Sequence, residues 1–122
     1  MSASRRVPSE LLPLTPAMFH VLVALADGDQ HGYAIIKAVA RHTDDRVVLS
    51  TGTLYGIIKR LLAEGLIVES RRRPAASLDD ERRRYYRLTD FGRRVAIAEA
   101  ERLEDMIAVV RATRLLDEPG TA

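Results

Sequence analysis

The segment of residues 50–65 constrains the fold more than any other part of the chain. Its apolar residues recur at intervals of three and four, as on the buried face of a surface helix: Leu54, Ile57, Ile58, Leu61 and Leu62. Ser50 is a favourable N-cap, and Gly65 suits the position just after a helix C-terminus. The segment therefore predicts a helix that packs one face on a core.

The opposite face of this helix is unusual because it carries two glycines, Gly52 and Gly56. Each glycine costs about 1 kcal/mol of helix stability relative to alanine, but it lets another surface approach the backbone closely. Hydroxyl, tyrosine and lysine side chains on such a face are suited to phosphates and base edges. One interpretation is an ordinary amphipathic helix with a solvated outer face. The other is a recognition helix that contacts DNA through Ser50, Thr51, Thr53, Tyr55 and Lys59.

The remaining elements can be placed around this helix. Thr15-Pro16 begins a helix over residues 15–27, and a second helix follows over 30–42. After Gly65, residues 66–70 and 82–88 predict a β-hairpin, and Thr89 caps a long final helix over 90–116. Three helices, a hairpin and a long helix predict a mainly α fold with a small β-hairpin (α+β), a winged helix-turn-helix.

The predicted domain organisation has four parts. Residues 1–13 are expected to form a disordered or loosely packed N-terminal arm, and residues 14–89 the winged helix. Residues 90–116 are expected to form a dimerisation helix, and residues 117–122 a frayed tail.

Basic residues concentrate around the predicted hairpin. Between Lys59 and Arg94 there are eleven basic and six acidic residues, although the whole chain has a net charge of only +2. A local basic stripe matters more than total charge for phosphate binding. A wing loop flanked by arginines is expected to contact the DNA backbone through Arg71, Arg72, Arg73, Arg82, Arg83 and Arg84.

Four motifs together resemble the PadR family of transcriptional regulators. They are His31-Gly32-Tyr33-Ala34-Ile35, Gly52-Thr53-Leu54-Tyr55 with Leu61, Glu64-Gly65-Leu66-Ile67, and Tyr85-Tyr86-Arg87-Leu88-Thr89-Asp90-Phe91-Gly92. The chain is most similar to the compact subfamily with a single C-terminal helix; Gly56 departs from the family pattern. The resemblance implies a homodimeric winged-helix repressor that binds double-stranded DNA. It also implies that some members of the family sense a small aromatic or cationic effector.

The final helix carries a possible dimer seam. Apolar residues recur there at spacings of four and three, as in a coiled coil: Ala96, Ala100, Leu103, Ile107 and Val110. A helix of about 27 residues is roughly 40 Å long, more than a small winged helix needs to cover itself. We therefore expect a homodimer; the alternative is that the seam packs on its own domain.

Composition and motif searches argue against an enzyme. The chain has no cysteine, its three histidines lack metal-ligand spacing, and it contains no glycine-rich phosphate loop or nucleophile elbow. No apolar run reaches the roughly 18 residues of a membrane span. We expect no catalytic residue, metal, cofactor or membrane contact, and a cytoplasmic location. For an effector pocket at the dimer interface the candidates are Phe19 and Phe91, which as an alternative are plain core residues.

The resulting prediction is a dimeric, sequence-specific DNA-binding transcriptional regulator, acting as a repressor that a small hydrophobic ligand releases. The alternative is a winged-helix protein-interaction module that does not bind DNA. A protein-binding face would favour exposed aliphatic residues, whereas the outer face of residues 50–65 carries hydroxyls, glycines, tyrosine and lysine.

Overall fold

The computed structural model describes residues 6–70 and 84–117. Within these ranges the helices are α1 (Pro16–Ala24), α2 (Gly32–His42), α3 (Thr51–Ala63) and α4 (Asp90–Ala112), and the strands are β1 (Gln30–His31), β2 (Ile67–Glu69) and β3 (Tyr85–Leu88). Short 3-10 turns lie at Pro8–Leu11 and Leu115–Asp117. The predicted mainly α fold with a small β element is confirmed.

Three helices begin at the N-cap residues that the sequence predicts. The hydroxyl oxygens of Thr15, Ser50 and Thr89 accept hydrogen bonds from backbone N–H groups three residues on, at 3.1, 3.1 and 2.8 Å. Each bond satisfies one of the N–H groups that a helix start leaves without a partner. α3 ends at Ala63, and its C-cap Glu64 is followed by Gly65 with φ +76°, a conformation that favours glycine. Local sequence therefore determines the ends of α3.

The sheet has three strands rather than the two of the predicted hairpin. Its order is β1-β3-β2, and both pairings are antiparallel. Gln30 and His31, which the sequence analysis assigned to the second helix, pair with Tyr86 and Tyr85 of β3. The assignment was wrong because a two-residue strand has no periodicity, and only its pairing with a distant strand defines it.

The core lies between α1, α2 and α3 and is closed by the first turns of α4. Leu22 of α1, Ile35 of α2, Leu54 of α3 and Val95 of α4 are fully buried. The buried residues of α3 are Leu54, Ile58 and Leu61, so its predicted apolar face is directed inward. This packing leaves the opposite face of α3 on the surface.

Several boundaries differ from the predictions. α1 ends at Ala24 rather than near residue 27, and α4 at Ala112 rather than residue 116. The described part of the N-terminal arm is packed: Pro8–Leu11 lies against α4, and Arg6 donates a 2.9 Å hydrogen bond to the Glu64 carboxylate. Contacts with distant elements hold this segment, which its local sequence does not reveal. The predicted strand extension over residues 71–73 and the tail over 118–122 lie outside the described residues.

α4 extends beyond the domain that it closes. Its buried residues are Gly92, Val95 and Glu99, and no residue from Ala100 to its end at Ala112 is buried. Since each residue adds 1.5 Å, these last turns are about 20 Å long. The chain by itself leaves this half of α4 largely uncovered.

Candidate nucleic-acid interface

The outer face of α3 is exposed. It consists of the exposed residues Thr51, Gly52, Thr53, Gly56 and Lys59. A Cβ atom added at Gly52 or at Gly56 would meet no other atom within 4 Å. An approaching surface can therefore come close to the helix backbone, with two hydroxyls and one ammonium group beside it.

Ser50 caps α3 and is hydrogen-bonded to Thr53 on this face. Its hydroxyl oxygen caps α3 by accepting from the Thr53 N–H, and its hydroxyl group lies 3.0 Å from the Thr53 hydroxyl oxygen, to which it donates. The Thr53 hydroxyl, having accepted this bond, keeps its own proton for an external acceptor. Both predicted contact residues are exposed, and the hydrogen bond from Ser50 orients the Thr53 hydroxyl.

Tyr55 lies differently from the prediction. The periodicity of α3 predicted it on the outer face, but it is half-buried and packs with the core. Its ring lies over Gly32 at the start of α2, where an added Cβ would be only 2.4 Å from the phenolic oxygen. The periodicity of α3 could not reveal this, because the space for the ring is provided by a glycine on another helix.

The groove between α2 and the start of α3 has a volume of about 180 Å³. It is lined by Gly32, Tyr33, Ile36, Thr51 and Tyr55. Tyr33 and Thr51 are exposed on the rim, so the outer face of α3 continues onto α2. α2 carries no motif that predicts a contact at this face, because only its packing against α3 brings Tyr33 beside Thr51.

Arg84 is the single predicted wing arginine that falls within the described residues. It is exposed just before β3, and its guanidinium nitrogen lies 3.6 Å from the carboxylate of Glu69 on β2. An ion pair of this exposure contributes at most about 1 kcal/mol, so it can be exchanged for a phosphate contact. The other predicted wing residues, Arg71, Arg72, Arg73, Arg82 and Arg83, lie outside the described residues.

An apolar groove of about 430 Å³ runs along the exposed half of α4. It is lined by Phe19, Ala100, Leu103, Glu104 and Ile107. The structure thus brings Phe19, a predicted pocket residue, together with three residues of the predicted seam. At the ends of the seam, Ala96 packs on the core of its own chain and Val110 is half-buried.

Phe91 does not line this groove. It lies in the first turn of α4, with the guanidinium carbons of Arg6 and Arg94 4.8 and 5.8 Å from its ring centroid. Guanidinium groups at these distances are attracted to the aromatic ring. Phe91 therefore anchors the N-terminal arm, and the two predicted pocket residues do not share a site.

A buried charge lies where α4 leaves the domain. Glu99 is only 2% exposed, and the Arg102 guanidinium donates two hydrogen bonds to its carboxylate, at 2.9 and 2.8 Å. These bonds hold the pKa of Glu99 below its ordinary value, against the opposing effect of burial, and the backbone of Leu14 lowers it further. The carboxylate thus remains ionised at neutral pH and links α4 to the segment before α1.

Residues 6–70 and 84–117 contain neither a cluster of metal-ligating side chains nor a membrane-spanning helix. No group of three or more histidine, aspartate or glutamate residues there is arranged to hold a metal ion. No helix in these ranges combines the length and apolar character needed to cross a membrane.

Comparison with known proteins identifies the family. Residues 21–98 match the model of the transcriptional regulator PadR-like family. The chain belongs to the PadR-like family. The family resemblance is thereby confirmed, and since its members are transcriptional regulators, the expectation that the chain is not an enzyme is confirmed too.

Individual relatives agree with this assignment. The chain is 34% identical over 87 residues to transcriptional regulator Rv3488 of Mycobacterium tuberculosis, a match covering 71% of this chain and 75% of the relative. A PadR family transcriptional regulator from Eggerthella lenta has a similar structure, with a TM-score of 0.62, 26% identity, and coverage of 94% and 87% of the two chains. The structure of a transcriptional regulator from Clostridium thermocellum is also similar, with a TM-score of 0.65 and 29% identity. The match covers 78% of this chain and 86% of that regulator. The winged-helix fold and a role in transcriptional regulation are thus shown for this chain.

Proposed function

We propose that this PadR-like regulator is a homodimeric repressor that inserts α3 into the major groove of its operator. The observation that carries the proposal is the open outer face of α3, where two glycines leave the backbone accessible beside Thr53 and Lys59. A helix fits the major groove of B-DNA, and base edges there distinguish all four base pairs. The proposal includes a cytoplasmic location, because the protein must reach the DNA that it regulates.

The proposed contacts divide into two classes. Thr53 has a free proton for a base or phosphate acceptor, whereas the cationic side chains of Lys59 and Arg84 suit phosphates. The wing arginines 71–73, 82 and 83, predicted from sequence, extend the phosphate contacts in this proposal. Tyr55, packed on Gly32, positions α3 against α2 rather than reaching a base.

The two contact classes are separable by a salt titration of operator and random duplexes. The operator is first selected from random DNA by the purified protein. Lys59→Gln removes one phosphate contact in each subunit, so the slope of log K against log salt should fall by about 1.8 on both duplexes, at about 0.9 per contact. Thr53→Ala should instead narrow the ratio of operator to random affinity, by roughly 1–3 kcal/mol per lost base contact.

Thr53→Ser is the matched control because it keeps the hydroxyl that accepts from Ser50. It should retain most of the discrimination that Thr53→Ala loses. If the wild type binds neither duplex at low salt, or binds without salt dependence, the DNA-binding proposal fails. In that case the protein-interaction module becomes the better hypothesis.

Dimerisation through α4 is supported by the apolar residues that the chain leaves uncovered. Leu103, Met106 and Ile107 are exposed on the half of α4 that extends beyond the domain. An exposed apolar stripe of this kind is typical of a subunit interface. Two such helices crossing would bury it and hold the two α3 helices at a fixed distance, as an inverted-repeat operator requires.

A charge substitution tests this interface. Ile107→Glu would bury two unpaired carboxylates per dimer, so sedimentation velocity should show a monomer. Ala112→Glu is the control, since it places the same charge about 140° around the helix from Ile107. A variant Ile107→Glu that sediments as a folded dimer would contradict this interface.

For ligand release, the apolar groove beside Phe19 is the proposed site. Its volume of about 430 Å³ lies within the range of small-molecule pockets, and a partner helix would cover its open side. The apolar lining favours a largely apolar ligand, and the Glu104 carboxylate favours one that is neutral or cationic. We expect such compounds to raise the melting temperature and to release the operator.

Ala100→Leu tests the groove by filling it. The variant should lose the response to ligand, whereas Ala108→Leu, also exposed on α4, should keep it. Because Ala100 also belongs to the predicted seam, sedimentation velocity and operator binding without ligand are measured first, to show that the variant still forms a DNA-binding dimer. A ligand response that survives Ala100→Leu unchanged would exclude the groove as the effector site.

A further inference from the structure

Tyr33 is an aromatic residue that the fold does not use for its core. It is the second residue of α2 and is 61% exposed, whereas Ile35 two residues on is fully buried. The ammonium nitrogen of Lys37 lies 4.9 Å from the centroid of the Tyr33 ring. At this distance the cation is attracted to the ring face, which restricts the otherwise free lysine side chain. Tyr33 and Lys37 therefore form an ordered polar pair on the surface.

The surroundings of this pair are free of negative charge on its own helix. Tyr33, Lys37 and Arg41 follow one another at intervals of four and are all exposed, so they form one stripe along α2. α2 contains no acidic residue. Among residues 6–70 and 84–117, neither Lys37 nor Arg41 has a carboxylate within ion-pair distance. The stripe thus offers positive charge to an external anion.

The stripe also adjoins the outer face of α3. Tyr33 and Thr51 line the same groove between the two helices, so the phenol group flanks the first turn of α3. α2 is the first helix of the helix-turn-helix pair, and in such pairs the first helix crosses the DNA backbone while the second enters the major groove. A phosphate at the edge of that groove would lie beside α2.

We propose that Tyr33 and Lys37 together bind a backbone phosphate of the DNA that α3 reads. The phenolic O–H donates one hydrogen bond to a phosphate oxygen, and the Lys37 ammonium donates another and neutralises the charge. The pair contributes affinity and register but no base discrimination. This inference rests on the proposed DNA-binding function, and it adds α2 to the contact surface.

The test is the salt dependence of binding by Lys37→Gln, measured by fluorescence anisotropy on operator and random duplexes. Loss of one contact in each subunit should reduce the log–log slope by about 1.8 and lower the affinity at 0.1 M salt by roughly 60-fold on both duplexes. Arg111→Gln, the same charge change on the exposed end of α4, should retain the wild-type slope.

Two tyrosine variants test the pairing itself. Tyr33→Phe keeps the ring beneath Lys37 and removes only the hydroxyl, so it should weaken both duplexes without changing the slope. Tyr33→Ala removes both interactions and should weaken binding more. Melting curves should show all variants folded, because Tyr33 and Lys37 are exposed.

The outcomes separate this inference from the function on which it rests. If the wild type binds with a steep salt dependence and Lys37→Gln has the same slope and affinity, α2 does not contact the backbone and the inference is overturned. The DNA-binding function would then rest on α3 and the wing, without α2. If Lys37→Gln weakens only the operator, the pair reads sequence instead, which also contradicts the proposal.

Discussion

Gly92 permits a close approach between the start of α4 and the backbone of Leu66, and its replacement tests the packing of α4. A Cβ atom added there would lie 1.9 Å from the carbonyl oxygen of Leu66 and 2.8 Å from its carbonyl carbon, whereas ordinary contacts are 3.4–4 Å. The same carbonyl accepts a 3.1 Å hydrogen bond from the Thr89 N–H. Gly92→Ala therefore requires the start of α4 to move by about 1.5 Å away from Leu66.

Two effects of opposite sign determine the magnitude. Alanine favours a helix over glycine by about 1 kcal/mol, and by less at the first turn, where Gly92 lies. Overpacking costs about 1–3 kcal/mol even where side chains can adjust, and here the neighbour is backbone that cannot rotate away. The clash should prevail, so we expect Gly92→Ala to destabilise the protein by about 2 kcal/mol or more.

Gly56→Ala is the matched control because its Cβ meets nothing within 4 Å. The propensity effect alone applies there, so this variant should be more stable than the wild type by up to about 1 kcal/mol. Urea denaturation at one fixed protein concentration measures both variants, since the stability of a dimer depends on concentration. Gly92→Ala with wild-type stability would refute the argument from close approach.

The same control variant links stability to function. In the proposed interface, the methyl group that Gly56→Ala adds would lie between α3 and the major groove. The variant should therefore bind the operator more weakly than the wild type, although it unfolds at a higher urea concentration. Operator affinity equal to that of the wild type would show that the glycine is not needed for close approach.

Two further predictions concern the segments packed against α4. Because the Glu99 pKa is lowered in the folded state, its stabilisation is complete above the ordinary value of 4.5 and is lost as pH falls through the lowered pKa. Glu99→Gln should therefore flatten the acid limb of a stability curve measured from pH 6 to 2, and an unchanged limb would show that Arg102 does not lower this pKa. Arg6→Gln removes the bonds to Glu64 and the contact with Phe91, so thermal unfolding should show a loss of about 1 kcal/mol. Arg111→Gln, lacking such contacts among the described residues, should melt as the wild type does.

Features that depend on a few neighbouring residues could be predicted from the sequence. The caps at Thr15, Ser50 and Thr89 and the inward face of α3 follow from interactions within four residues along the chain. Membership of the PadR-like family could be inferred because its motifs are distributed over most of the chain. The order of the helices and the position of α3 were therefore determined by sequence alone.

Features that depend on distant pairs were decided by the tertiary structure. β1 exists because Gln30 and His31 pair with β3, and Tyr55 is turned inward because Gly32 on another helix leaves space for its ring. From the sequence, Phe19 and Phe91 were each a candidate for either the pocket or the core. In the structure Phe19 lines the groove along the exposed half of α4, whereas Phe91 lies beneath Arg6. Periodicity assigns a residue to a face of its own helix, but what that face meets depends on how the other elements pack around it.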